Sequence, residues 1–484
     1  MGKVRQNNTT MANRDEYFDS GEFKEILAKF EEAQRNVAYA GLEPDELTDV
    51  AEYYYEKGDR KLSLQILNDA IDAFPGATIP LVFRGRTALI DEKDIEKAKA
   101  YAEQIDDKLN LDYIYLEAEI LITEGKVDAA DMYLHDRMDY IDEDDVPDYV
   151  LDVATIFADY NNVDLAQSWL SLSDETDLTD YKELEGRIAY GKGNYEKSER
   201  IFEKLIDEDP YSNQFWNSLA STQLMRNRIN DSITSSEFSI AIDPNNDEAI
   251  LNKANGLFSL GNYEEALKYY KRFTDLCPQD ETGYVFQGTT LLNLNRPEEA
   301  EKFFRKAEDM AGPKSDCLPE LYQEMAFTLS MLGRANEALV YCDKAMTLPE
   351  NDKNEVRVMR GHILLDNNRV EDAQECFALA LKASGHSPKI YLHIAVSIFD
   401  CGYTGIAYKM FKTLLESPVH DGMEGISYLA YCCMQLGHRE EFLENLKTAC
   451  EVNPREAKLI LGEFFPAALQ PDAYYEYALN HKQL

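Results

Sequence analysis

The sequence predicts an all-α solenoid of about twelve helix-turn-helix repeats. Three observations predict it. A small residue recurs at Ala51, Gly85, Ala118, Ala154, Gly186, Ala220, Ala254, Gly288, Ala326, Gly361, Ala395 and Ala430, always 32 to 38 residues after the last. A residue able to turn the chain follows each of these but one, and a second small residue comes next, usually twelve after the first. Proline then closes many of the repeats. No ordinary helical bundle holds one period over so long a chain.

The first 13 residues read as a polar tail. After Asp19-Ser20-Gly21, apolar residues recur at helical spacing at Phe23, Ile26, Leu27, Phe30 and Ala33. This is one amphipathic helix with no partner in its own segment, so it is expected to cap the N-terminal end of the array.

The repeats begin at residue 44. The first small residue marks where the paired helix crosses closely. The turn is made by Gly58, Gly125, Gly193, Gly261, Gly333, Gly402 and Gly437, or by Asn161, Asn227, Asn295 and Asn368. Glycine and asparagine best tolerate positive φ at a helix C-terminus. The second repeat is the exception, with Asp91 to Asp94 in place of the turn and one residue inserted. The second helix carries Ser63, Ala98, Ala130, Ala166, Ser198, Ser232, Ala266, Ala300, Ala338, Ala373 and Ala407; the twelfth repeat departs with Phe442. Pro75, Pro210, Pro244, Pro278, Pro313, Pro349, Pro418 and Pro454 stop the second helices, because proline cannot continue a helix.

The array is expected to divide into an N-terminal tail and cap (1–43), acidic degenerate repeats (44–178), well-formed repeats (179–314), further repeats (315–456) and capping helices (457–484). Ala473 to Leu479 reads as a last helix. Two long connections, His135 to Asp148 and Ala311 to Glu320, are places where the array can bend or divide.

Trp216, Leu219 and Ala220, with Ala266, Tyr270 and Pro278 further on, resemble the sequence pattern of the tetratricopeptide repeat family. The resemblance covers roughly 44–456. It implies a right-handed superhelix whose first helices line a concave groove that holds a peptide or partner segment. On that reading the groove positions include Asn217, Ser221, Leu251, Asn255, Val285, Thr289, Phe327 and Tyr431, and, in the early repeats, Asp45, Glu52, Asp112, Glu119, Asp148 and Asp159. The family's clamp for a terminal carboxylate needs cations. Here Asn217 and Asn252 fit two of its positions, but Ser221, Thr282 and Phe286 stand at others, so that subtype is not expected.

Net charge is −41, from 90 acidic and 49 basic residues. Such a chain repels nucleic acid and anionic membrane; the charge serves solubility and favours basic partners. Residues 101–180 hold 23 acidic residues against Lys108, Lys126 and Arg137. The segment is expected either to bind basic peptides or divalent cations loosely, or to be the less stable part. No apolar run is long enough to span a bilayer, and the N-terminus lacks a secretory pattern, so a cytoplasmic protein without membrane insertion is expected. The eight cysteines all follow residue 270 and form no C-x-x-C pair, as expected of reduced thiols.

No nucleotide-binding, nucleophile-elbow or zinc-protease motif occurs, and His386, His393 and Cys401 lack zinc-site spacing. No catalytic residue, metal or cofactor is therefore expected, and the chain does not read as an enzyme. The leading function is a scaffold or adaptor that binds a protein segment in the groove. The alternatives are a peptide-responsive sensor that changes conformation and controls a partner, and a structural subunit of a larger assembly.

Overall fold

The computed structural model describes residues 17–36, 41–313, 315–349, 351–417 and 423–481. The expected tail over 1–13, the side chain of Ala33, Pro418 and His420 lie outside them. Among the described residues twelve helix pairs follow one another, from Pro44–Glu56 with Arg60–Ala73 to Ile426–Gln435 with Arg439–Val452. No strand occurs among the described residues. The chain forms two compact bodies, Met1–Gly283 and Tyr284–Leu484.

Each turn closes in the way its residues demand. Gly58, Gly125, Gly193, Gly261, Gly333, Gly402 and Gly437 have φ between 71 and 84°, and the four turn asparagines lie between 57 and 60°. The amide after the turn residue reaches back five residues, as from Asn262 to the Leu257 carbonyl at 2.9 Å, and so satisfies a carbonyl left bare at the helix end. The second repeat makes the same turn with a less suitable residue. Lys93 stands at φ 52°, and the returning bond, Asp94 N–H to the Ala88 carbonyl at 2.9 Å, spans six residues, so the insertion lengthens the turn without abolishing it. Asp59, Asp94 and Asn194 follow their turns at once and accept a hydrogen bond from the third amide of the next helix, at 3.0, 3.1 and 3.3 Å.

The small residues are where the paired helices touch. All eleven on the second helices are 0 % exposed. Where the first helix has glycine, a large ring can use the space. A Cβ built on Gly186, Gly288 or Gly361 would stand 2.9, 2.4 or 2.4 Å from the rings of Phe202, Phe304 or Phe377 in the same repeat.

In the N-terminal body, the helix Gly21–Asn36 buries Phe23, Ile26 and Phe30 against Leu47, Val50, Ile66 and Leu67 of the first repeat. In the C-terminal body, the helices Pro454–Leu461 and Tyr474–Asn480 cover the last repeat. There Phe442, the departure from the small-residue rule, packs in one cluster with Leu461, Phe465 and Tyr474. All eight cysteines are free thiols; burial pushes those of Cys342 and Cys432 up to about 12. The acidic third and fourth repeats share a substantial core, with Trp169, Tyr115, Tyr149 and Phe157 almost wholly buried.

Candidate functional site

The first helices of successive repeats touch along the N-terminal body, from Pro44–Glu56 to Asp247–Ser259. Their shared face is a polar stripe set by the period itself. The position just after the small residue reads Glu52, Arg86, Glu119, Thr155, Arg187, Ser221 and Asn255 through the N-terminal body. One repeat therefore meets the next through side chains about one period apart.

Those meetings form a ladder. Arg86 Nε donates to Glu119 Oε2 at 2.8 Å. The Tyr115 hydroxyl donates to Asp152 Oδ2 at 2.9 Å. Arg187 pairs with Asp159 of the preceding repeat, and Gln214 Nε2 donates to Glu183 Oε1 at 2.7 Å. Asn217 Nδ2 reaches Asn246 Oδ1 at 3.0 Å and Glu248 Oε2 at 3.2 Å, and the Ser221 hydroxyl reaches Asn252 Oδ1 at 3.3 Å. Each rung fixes a rotamer that would otherwise be free, so the stripe is a pre-organised surface.

The electrostatics are uneven. Arg86 is 3 % exposed; burial pulls its pKa down, but Glu119 and Asp112 outweigh this and hold it charged. Nearby, Asp112 is pushed up, first by burial and then by Asp45, with Arg86 opposing. Asp152 rises to about 7: burial dominates, Asp148 and Asp112 add to it, and the Tyr115 hydroxyl opposes it. In the C-terminal body, burial and Glu320 lift Glu324 to about 7.

The residues expected in the groove fall into three kinds. Ser221, Leu251 and Asn255 are half-buried on the N-terminal body's stripe, and Asn255 accepts from the Tyr270 hydroxyl at 2.8 Å. In the C-terminal body, Thr289 is half-buried, Phe327 is 44 % exposed, and Tyr431 packs edge-on against Phe399 and Phe464. Asn217 and Val285 are only 3 % and 1 % exposed. Both stand three residues before the small residue, where side chains turn between adjacent first helices, as Tyr115 and Glu183 do. Val285 is thus a core residue, a correction to its expected exposure; Asn217 instead joins two repeats. In the N-terminal body Asn217, Ser221, Leu251 and Asn255 share two successive first helices, Asn213–Met225 and Asp247–Ser259.

Among the early residues, Glu52, Asp112 and Glu119 are buried, whereas Asp45, Asp148 and Asp159 are exposed. Arg86, Tyr115, Asp152 and Arg187 belong to the ladder but escaped the sequence reading. Their signal was the alternation of Glu52, Arg86 and Glu119 one period apart. His393 Nδ1 lies 2.6 Å from Glu355 Oε2, and Cys401 Sγ lies 3.9 Å from His362 Nδ1. No group among the described residues has metal-ligand geometry.

Comparison with known proteins agrees with this architecture. The tetratricopeptide repeat family's sequence model matches residues 251–315. The chain is a tetratricopeptide repeat protein. Among its relatives, the TPR repeat-containing protein YpiA of Bacillus subtilis is 22 % identical over 305 residues, with 62 % of this chain and 70 % of YpiA covered. The human protein O-mannosyl-transferase TMTC3 is 26 % identical over 195 residues, covering 37 % of this chain and only 21 % of TMTC3. Among solved structures, the APC/C hetero-tetramer Cut9–Hcn1 is 12 % identical and similar over 94 % of this chain and 95 % of that one, at a TM-score of 0.40. No helix among the described residues is long and apolar enough to cross a membrane.

Proposed function

We propose that this tetratricopeptide repeat protein is an interaction scaffold that holds an extended segment of a partner protein along its first-helix stripe. One observation carries the reading. From the second repeat to the seventh, first-helix side chains are bonded across every repeat boundary, and Ser221, Leu251 and Asn255 stay half-buried beside the last of these bonds. A surface with a fixed step suits an extended polypeptide, which presents its own side chains and peptide groups at a fixed step. In the N-terminal body the residues offered for contact are Ser221, Leu251 and Asn255, which Asn217 would position; Thr289, Phe327 and Tyr431 are the C-terminal body's own candidate contacts. The role is binding rather than catalysis.

The test is recovery of bound proteins from the native cell with the wild-type chain and with a Ser221→Arg/Asn255→Arg variant. Both substitutions are at half-buried surface positions, and circular dichroism checks that the variant stays folded. A partner retained by wild type and lost by the variant supports the reading. A partner held equally by both would place the contact elsewhere.

A further inference from the structure

The turn edge of the array repeats one ion pair, and the eleventh repeat has lost it. In the sixth, eighth, ninth and tenth repeats an arginine follows the turn residue and opens the second helix. It binds the acid three residues on. Arg228 meets Asp231 and Arg296 meets Glu299 at 2.7 Å; Arg334 meets Glu337 and Arg369 meets Asp372 at 2.6 Å. The twelfth repeat keeps a longer version, His438 to Glu441 at 3.6 Å. In the eleventh the two positions hold Tyr403 and Ile406. Ile406 is 53 % exposed, so the fold gains little from an aliphatic residue there.

The exchange also frees a cation. In the seventh repeat Lys268 pairs with Glu265, three residues before it, at 2.6 Å. The eleventh repeat has Lys409 at the matching position, and three residues before it stands Ile406. Lys409 makes no ion pair among the described residues. Glu441 of the next repeat is taken by the Tyr408 hydroxyl and Lys412, each at 2.8 Å.

These residues share one cleft of about 620 Å³ within the C-terminal body. Tyr403, Ile406 and Lys409 line it together with Leu436 and His438 from the turn of the twelfth repeat. Leu436 is 39 % exposed. The matching cleft between the ninth and tenth repeats, about 380 Å³, is lined by Arg334, Glu337 and Arg369. There the charges are met within the chain: Glu301 and Glu337 hold Arg334, and Asp372 holds Arg369. Single exposed apolar residues are ordinary on a surface. Two on one cleft, beside an unpaired lysine in a chain of net charge −41, are not.

We infer that this cleft docks an internal segment of a partner protein carrying an aliphatic side chain beside an aspartate or glutamate. The aliphatic group covers Ile406 and Leu436, and the carboxylate meets Lys409. A single lysine is a point charge and suits a side-chain carboxylate; capture of a chain's terminal carboxylate takes several converging donors. The cleft is separate from the first-helix stripe and stands whether or not that stripe holds a partner.

The variant Tyr403→Arg/Ile406→Glu writes into the eleventh repeat the pair that four other repeats already carry, and it gives Lys409 an acid of its own. Random twelve-residue peptides, displayed through their C-termini, are depleted on this variant of the full chain and then selected on wild type. If circular dichroism shows the variant misfolded, Ile406→Ser takes its place. Winners are synthesised with both ends blocked and titrated. The expected winners hold leucine, isoleucine or valine within two positions of an acid. They bind the variant at least tenfold more weakly, the effect of losing a buried aliphatic contact. Converting the peptide's acid to its amide weakens binding to wild type about threefold and has no effect on binding to Lys409→Ala. The proposal is overturned by the absence of winners after depletion or by winners without that pair. An amide effect missing in wild type, or persisting in Lys409→Ala, overturns it too. Each of these leaves the groove reading standing.

Discussion

Replacing Arg86 by methionine tests how far the stripe depends on its buried ion pair. Arg86 and Glu119 are 3 % and 8 % exposed and share a bond of 2.8 Å. Removing one member of such a pair strands the other as an uncompensated buried charge, a cost of about 3–5 kcal/mol. Repeat arrays open locally, so a whole-chain melting temperature is a poor readout. Hydrogen exchange by segment suits the question better: protection over residues 78–123 is expected to fall roughly a hundredfold or more, at about 1.4 kcal/mol per tenfold. Glu119 then answers to pH. Its folded pKa is raised by burial and loses the opposing pull of Arg86. A carboxyl raised in the fold binds its proton more tightly there than when unfolded. Its stability contribution is therefore present at low pH and is lost as pH climbs above the unfolded value of about 4.3. Acidification should restore protection in Arg86→Met. The double substitution Arg86→Met/Glu119→Leu should recover most of the loss, but not all, because Asp112 also loses the attraction of Arg86. Protection unchanged to within about threefold in the single variant, or a double variant no better than the single, would refute the reasoning.

Three further outcomes are expected. Gly288→Ala places a Cβ 2.4 Å from Phe304; overpacking of about 1–3 kcal/mol outweighs alanine's better helix propensity, and Phe304→Leu relieves it, as hydrogen exchange over 284–310 would report. Gly261→Ala, at φ 75°, costs about 1–2 kcal/mol by forcing an L-residue into the left-handed region, measurable by urea unfolding. Asp152 is raised from 3.8 to about 7, so wild type loses stability as pH rises across that window; Asp152→Asn should flatten the loss, which hydrogen exchange over 146–159 from pH 4 to 8, corrected for the intrinsic pH dependence of exchange, would show.

Much of this was legible because it is local. A helix must end, turn and begin again, and each step demands a residue type at a fixed offset. Glycine or asparagine at the turn, small residues at the crossing and proline after the second helix were enough to place twelve pairs. The second repeat shows the limit of that logic. Nothing about Lys93 suggests a left-handed turn, yet the constraints on either side impose φ 52° on it. Phe442 shows it again: the small-residue rule breaks where the C-terminal helices bring Leu461 and Tyr474 against the last repeat.

The candidate site was less legible. The period told which helix faces the stripe, but not which residues on that helix remain exposed. Asn217, Val285 and Ser221 look equivalent in sequence. Asn217 and Val285, three before the small residue, are buried, while Ser221, one after it, stays half-buried; which position is covered depends on how closely two first helices nest, a distance no single repeat contains.

The sequence by itself determined the repeat, its count and the placement of its turns, since each follows from backbone and side-chain sterics within some 34 residues. It also determined the excess of negative charge. Only the tertiary structure decided where that charge goes. Stacking one repeat on the next pairs Arg86 with Glu119 and Arg187 with Asp159, and leaves Asp112 Oδ1 buried without a donor among the described residues. Solvation and pairing are properties of neighbours in space, and for this chain those neighbours lie one repeat away.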